Sequence, residues 1–339
     1  MKWDEKRLDD LLTTPSDRLL KDIKKIKGDI MILGAGGKMG PTLSLLAKKA
    51  VEQAGGSQRV IAVSRFTDPF AVKLLKENGV ETISANLMDN EALNALPEAD
   101  NIIYMAGRKF GTDGQESLTW AMNVWLPVMV AQKFRNSNIV VFSSGNIYPM
   151  VPIHSGGADE TVPPLPNGEY AMSCLGRERV FEYASRAWNT PVFAYRLNYA
   201  IDLRYGVLYD IASAIMAGKP VSVAMPVFNC IWQGDANEIA IRALLHAGSP
   251  MVKMNITGPE TVSVRYAALE LGKLLGKEVT FTGEESDSAY LNNASLAMKT
   301  FGYPSVSVKT MIEWQAEWIL SGGRVLNKPT HFEERKGKY

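Results

Sequence analysis

A short apolar run, Ile30 to Leu33, passes directly into Gly34-Ala35-Gly36-Gly37-Lys38-Met39-Gly40, and an amphipathic segment starts at once. A strand that turns into a helix with no linker needs glycine, because such a turn demands positive φ or a missing Cβ. Gly34, Gly37 and Gly40 give the spacing G-x-x-G-x-x-G. The helix that follows would present unpaired N–H groups and a partial positive charge, which suits an anion. Residues Gly34, Gly36, Gly37, Lys38, Met39 and Gly40 are therefore expected to cradle the diphosphate of a dinucleotide.

The same rhythm continues downstream. Apolar runs at Val60–Val63, Glu81–Ser84, Asn101–Met105, Ile139–Ser143 and Val192–Arg196 alternate with helical patterns near 39–54, 69–78, 90–95, 116–134 and 170–188. Strand and helix in alternation predict a parallel sheet with helices on both faces, an α/β Rossmann-type doubly wound fold. Past about residue 200 the rhythm breaks into short elements punctuated by Gly218-Lys219-Pro220, Gly258-Pro259 and Tyr303-Pro304. The expected organisation is a helical extension over 1–28, a dinucleotide domain over 29–198 and a smaller C-terminal substrate lobe over 199–325. That lobe is free to return elements to the sheet, and a polar tail over 326–339 follows it. Within the extension, Thr14 reads as an N-cap with Pro15 at the first helical position, followed by Leu19, Leu20, Ile23 and Ile26 at helical spacing.

Composition excludes several classes. A net charge of +1 gives no reason to expect nucleic acid as a partner. Two cysteines, Cys174 and Cys230, make no disulfide framework, so a cytoplasmic location is expected. Three scattered histidines give no metal-ligand spacing. The charged Met1–Asp10 segment lacks a signal-peptide core, and no run approaches the ~20 apolar residues of a membrane span. Ile139–Phe142 and Val221–Val227 read as core strands instead.

Cofactor choice is read at the end of the second strand. An acidic residue there would accept from the adenosine ribose, whereas an Arg accommodates a 2′-phosphate. Here Ser64 and Arg65 stand in that place, which favours NADP(H), while Asp68 nearby keeps NAD(H) open.

At this point the chain resembles the extended short-chain dehydrogenases/reductases, the NAD(P)-dependent epimerase/dehydratase family. The G-x-x-G-x-x-G spacing is the first match, and others follow in chain order. Asn86-Leu87 resembles the adenine-contacting segment, with Asn86 where an Asp is usual. Met105-Ala106-Gly107 resembles the turn beside the nicotinamide ribose, and Asn123 the Asn of the following helix. Phe142-Ser143-Ser144 resembles the strand bearing the catalytic hydroxyl, Tyr170-Ala171-Met172-Ser173 the start of the catalytic helix, and Arg196-Leu197-Asn198 the entry to the substrate pocket. The resemblance spans about 29–320. It implies that Tyr170 is the general acid/base and that Ser144 hydrogen-bonds the substrate oxygen.

One position departs from the pattern. Cys174 stands where the family has the Lys of Y-x-x-x-K, and no other Y-x-x-x-K occurs. A thiol cannot supply an ammonium's field or its three donors. Three readings follow: a substitute cation among Arg177, Arg108 and Lys109; chemistry that uses Tyr170 only as an acid; or a redox-silent NAD(P)-binding sensor or scaffold.

Nucleotide-sugar enzymes of this family place a basic residue in a stretch that here reads Val227-Phe228-Asn229-Cys230-Ile231-Trp232-Gln233-Gly234-Asp235, with no Lys or Arg. Without a cation a diphosphate is poorly held. The expected substrate is a small hydroxylated molecule, a sugar or sugar acid, with Lys109, Ser144, Asn146, Asn198 and Arg204 as contacts, Arg204 either pairing with a substrate carboxylate or forming a surface salt bridge. The resemblance also implies a homodimer built on 116–134 and 170–188, where Trp120, Trp125, Phe181 and Tyr183 either supply apolar contacts or face the sheet.

Overall fold

The structure, a computed structural model, describes residues 3–109, 111, 114–327 and 329–338. Seven strands form its central sheet: β1 (Ile30–Leu33), β2 (Val60–Ser64), β3 (Glu81–Ser84), β4 (Asn101–Tyr104), β5 (Asn138–Ser144), β6 (Val192–Leu197) and β7 (Val252–Ile256). Their order is β7-β6-β5-β4-β1-β2-β3, and every pairing is parallel. This is the Rossmann-type doubly wound fold. β1 and β4 are buried at every residue because helices cover both faces of the sheet.

Period-two alternation divides the core. Ile30 and Ile32 enter the layer shared with α2 (Asp17–Ile23), α3 (Gly40–Gln53) and α10 (Gln233–Arg242). Met31 and Leu33 enter the opposite layer, under α7 (Leu126–Lys133) and α8 (Gly168–Trp188). Two elements beyond residue 199 thus belong to the sheet's body: β7 pairs with β6, and α10 shares a core with α3. A third apolar cluster builds the smaller lobe from α9 (Val207–Met216), α11 (Val264–Leu275) and α13 (Val308–Leu320). No helix among the described residues is long and apolar enough to cross a membrane.

Two local expectations are corrected. The N-cap of α2 is Ser16, whose Oγ accepts from Leu19 N at 3.1 Å, and not Thr14. Thr14 instead closes an unforeseen helix, α1 (Glu5–Thr13). The Thr14 hydroxyl donates to Asp10 O at 2.7 Å, one turn back in α1, and Pro15 holds Thr14 in the extended backbone that ends that helix. The run 221–227 also fails to form one strand. Only Val221–Ser222 and Val227–Phe228 are extended, and Pro226, which has no N–H, lies between them.

α1 ties the extension to the small lobe. Trp3 packs edge-on against Trp314 and Trp318, with centroids 5.6 and 6.2 Å away. The buried Arg204 guanidinium donates to Asp202 at 2.8 Å, Asp9 at 2.9 Å and Glu5 at 3.0 Å. Removing one partner from a buried ion network leaves charge uncompensated. Arg204→Ala should therefore cost about 3–5 kcal/mol of unfolding free energy in a urea titration. A loss under about 1 kcal/mol would mean that the network behaves as an exposed ion pair.

Candidate active site

Parallel strands leave all their carboxyl ends on one edge. A crevice opens there between β1 and β4, whose connections run to opposite faces of the sheet. A cavity of about 300 Å³ lies in it. Gly34, Gly37, Lys38 and Met39 line it from the β1 turn, and Met105, Gly107, Arg108 and Lys109 from the β4 turn. Ser144 and Asn146 follow β5, Asn198 follows β6, and Tyr170 and Arg177 project from α8. Chemistry rather than size selects this cavity. A larger cleft, about 580 Å³, lies between α2 and α10. Its carboxylates Asp235 and Glu238 are occupied by Ser305 and Ser16.

Three glycines are set by close approach. Gly34 has φ +92°, and a Cβ there would lie 2.6 Å from Ala106 N. At Gly36 it would lie 2.7 Å from Ser64 Oγ, and at Gly40 2.3 Å from Ala35 O. Gly37 differs: its missing Cβ would meet only Gly34 O, at 3.4 Å, so the loop backbone is open on that side. This geometry fits a diphosphate that lies directly on the main chain. Farther along the edge, Arg65 and Asn86 are exposed and Leu87 is buried. Asp68 accepts from Phe70 N at 2.9 Å and so caps α4 (Pro69–Glu77).

The reacting groups gather around Tyr170. Its hydroxyl lies beside Ser144 and the Cys174 thiol, close enough for both to shift its pKa. Ser144 Oγ also accepts from Asn146 N at 3.1 Å, which fixes the hydroxyl at the end of β5. Burial holds the Tyr170 phenol well above its ordinary pKa and Cys174 adds to the effect, while Arg177 and the Ser144 hydrogen bond pull it back. Cys174 is 1% exposed, and burial pushes its thiol up as well, so it is a packed neutral group.

Arg177 stands one turn beyond the altered position. Its Nη1 donates to the Phe142 carbonyl at 2.8 Å and its Nη2 to Asn123 Oδ1 at 2.7 Å. Its Nε is buried and has no partner. Gly107 makes room for it, since a Cβ there would lie 2.4 Å from Nη2. Asn123, fully buried in a π-helical turn over Ala121–Trp125, spends its amide on Arg108 O and Ser173 Oγ. It therefore positions the β4 turn and Arg177 and does not line the cavity. Arg108 Nη2 donates to Gly111 O and Gln115 Oε1, both at 2.7 Å. Lys109 Nζ lies 5.8 Å from the Tyr170 ring centroid and donates to Thr330 O at 3.2 Å.

Arg204 is corrected here. Its side chain is spent on Asp202, Asp9 and Glu5, so it is not offered to a substrate carboxylate. Phe181 faces the sheet, fully buried 5.6 Å from the ring of Tyr104, whereas Trp120, Trp125 and Tyr183 are exposed. The sequence reading missed Thr330, Tyr199 and Tyr205 in the lining, and Glu178 behind it. Glu178 accepts from Ser143 Oγ at 2.5 Å and from Arg196 Nη2 at 2.8 Å. Its position eight residues after Tyr170 on one helix was the available signal. Thr330 gave none.

No family model and no curated protein sequence matches the chain. Solved structures do. A UDP-glucuronic acid 4-epimerase from Bacillus cereus, in complex with a UDP-sugar and NAD, is 17% identical with a TM-score of 0.70, covering 86% of this chain and 99% of that one. The Bordetella bronchiseptica enzyme WbmG, in complex with NAD and UDP, is 18% identical with a TM-score of 0.72, covering 90% and 99%. A dTDP-glucose 4,6-dehydratase from Bacillus anthracis in complex with NAD is 16% identical with a TM-score of 0.72, covering 87% and 97%. The likeness is one of fold: this chain has the Rossmann-type fold of NAD-bound sugar epimerases and dehydratases.

Burial pushes the Lys109 ammonium down to about 8, against the opposing pull of Cys174, Asp210 and Glu333. Its folded pKa thus lies below the ordinary 10.5. Between those values the unfolded chain binds the extra proton, so the contribution of Lys109 to stability rises with pH. Below about pH 8 the cost of burying the charge is fully present. Relative to wild type, Lys109→Met should gain stability at pH 7, and the gain should fade toward pH 10.5. Urea titrations of both proteins at several pH values check this, and a difference independent of pH would contradict it.

Proposed function

We propose that this chain is an NAD(P)-dependent oxidoreductase or isomerase of the epimerase/dehydratase type, acting at a carbinol or carbonyl carbon of a small hydroxylated substrate. The observation that carries the reading is the placement of Tyr170 beside Ser144 and Arg177 in one cavity, in the crevice that the glycine loop enters. When bound, the nicotinamide supplies the hydride acceptor or donor. Ser144 orients and polarises the substrate oxygen. Tyr170 moves the proton of that oxygen. With its pKa held high, the phenol is protonated at neutral pH and is set to donate. Arg177 is always charged and stabilises the tyrosinate left behind, the task that the missing lysine performs in the resembling family.

The substrate reading is a sugar or sugar acid rather than a nucleotide sugar. Support comes from 227–235, which lacks a cation. Support also comes from the tail, whose Arg335 lies across the small lobe on Ser288 O at 2.7 Å and Ala224 O at 3.3 Å. For the cofactor, Ser64 and Arg65 argue for NADP(H), with Asp68 already spent as a cap. The NAD held by the structural neighbours argues for NAD(H). Mass spectrometry of dinucleotide released from denatured protein decides between them.

Tyr170→Phe should abolish turnover of a polyol and sugar panel while leaving dinucleotide binding intact. Arg177→Met should lower turnover by about 10²-fold and move its pH profile upward. Retained turnover in the Phe variant would sink the assignment, and binding without turnover in wild type would favour a redox-silent sensor or scaffold. A homodimer through the faces that carry Trp120, Trp125 and Tyr183 is part of the proposal. Trp125→Glu should then halve the mass measured by light scattering.

A further inference from the structure

We infer that residues 329–337 form a strap that opens to admit a ligand and closes over the Tyr170 end of the cavity. The inference rests on the proposed function in one respect, that the cavity receives the nicotinamide end of a dinucleotide. It adds a moving wall, which neither the glycine loop nor α8 supplies.

The strap lies across a gap. At one end the N and Oγ1 of Thr330 donate to Asp210 Oδ2 on α9, at 2.7 and 2.5 Å. The Thr330 carbonyl accepts from Lys109 Nζ at 3.2 Å, so the same residue reaches the β4 turn. At the other end Asn167 Nδ2 donates to the Arg335 carbonyl at 3.1 Å. Gly337 then crosses Gly168 main chain to main chain. A Cβ on Gly168 would lie 2.2 Å from Gly337 O, and one on Gly337 2.4 Å from Asn167 O. Both glycines have positive φ, +82° and +74°, so the crossing admits no side chain. Gly168 is the first residue of α8 and stands two residues before Tyr170. The strap therefore joins the small lobe to the helix end that carries the reacting phenol.

Its attachment is that of a part that can lift. Residues 329–338 hold no helix or strand. Thr330 lines the cavity, while Pro329, His331, Phe332 and Glu333 line a second cleft of about 490 Å³ on the α9 side. One thickness of chain thus separates two open spaces, and the outer one gives it room to move. Phe332 is the strap's member of the small lobe's apolar cluster. The remaining fastenings are hydrogen bonds at separate points. A segment held by so little apolar contact opens at far lower free energy than the whole fold. Arg335 is the latch: its Nη1 donates to Ser288 O at 2.7 Å and Ala224 O at 3.3 Å, and its Nη2 to Ser288 Oγ at 3.0 Å. It does not line the cavity. Closure would keep water from the place where hydride and proton move, and opening would let the ligand leave.

The test is stopped-flow release of NADPH or NADH, whichever the full chain holds, followed by its fluorescence. Arg335→Ala unfastens the strap away from the cavity and should speed release about tenfold. The double variant Asp210→Cys, Thr330→Cys, oxidised before loading, fastens it and should slow release about tenfold relative to the same protein reduced. A fixed wall predicts no change in either comparison, and unchanged rates overturn the inference. Hydrogen exchange of the ligand-free chain separates this result from the fate of the proposed function. The amides of 330–336 should exchange about tenfold faster in Arg335→Ala than in wild type, while α9 keeps its protection. If neither dinucleotide binds, the proposed function falls and exchange alone decides: a strap as protected in the variant as in wild type overturns the inference.

Discussion

The close approach of the β1 and β4 turns is the constraint on which the site depends. Parallel register aligns Leu33 with Tyr104, so the two turns leave the sheet side by side. Gly34 and Ala106 then pass so closely that no side chain fits at Gly34. From that contact one connection rises into α3 and the other toward α7, and the crevice between them is where a ligand can reach main-chain N–H groups from both. A bulkier residue at Gly34 would push the turns apart and disturb the cradle and the Met105–Lys109 wall together.

α8 turns this crevice into a candidate reaction centre. Tyr170, Cys174 and Arg177 follow one another along the face turned to the cavity, while Phe181 faces the sheet. Behind them the buried Glu178–Arg196 pair bolts the helix to β6, and Ser143 on β5 is joined to the same carboxylate. Arg196 also donates to Tyr148, which donates to Asn255 on β7 at 3.0 Å. Four elements are thus held in register by one polar network with its partners satisfied. Such networks contribute little net stability compared with an apolar core, but they define position. Position matters here, because the Tyr170 hydroxyl has to stay within reach of both Ser144 and the field of Arg177.

Much of this was legible in the sequence, and what was not has a common cause. Strands and helices could be read because burial on both sheet faces leaves continuous apolar runs, and the glycine loop because its spacing records steric necessity. Arg177 was visible as a cation seven residues after Tyr170 on one helix. Arg204 was misread because two of its partners, Glu5 and Asp9, lie almost two hundred residues upstream, where no local pattern announces them. Thr14 was misread as a cap because its hydroxyl turns back to Asp10 O, 2.7 Å away in a helix the sequence reading did not foresee. Thr330 was hidden for the same reason as Arg204. Its contacts to Lys109 and Asp210 span 221 and 120 residues, and an aperiodic polar tail gives no hint that it returns to the site.

The altered catalytic position is best understood as a redistribution of charge. A lysine four residues after the tyrosine would supply a field and three donors from one side chain. Here a small buried thiol takes that place, packed with Ile147, Tyr148 and Ala158. The cation nearest that position on the same helix face is Arg177, whose guanidinium is held by the Phe142 carbonyl and Asn123. Lys109 comes from the opposite wall and does titrate, near pH 8. Its Nζ donates to the Thr330 carbonyl, which ties it to the C-terminal tail.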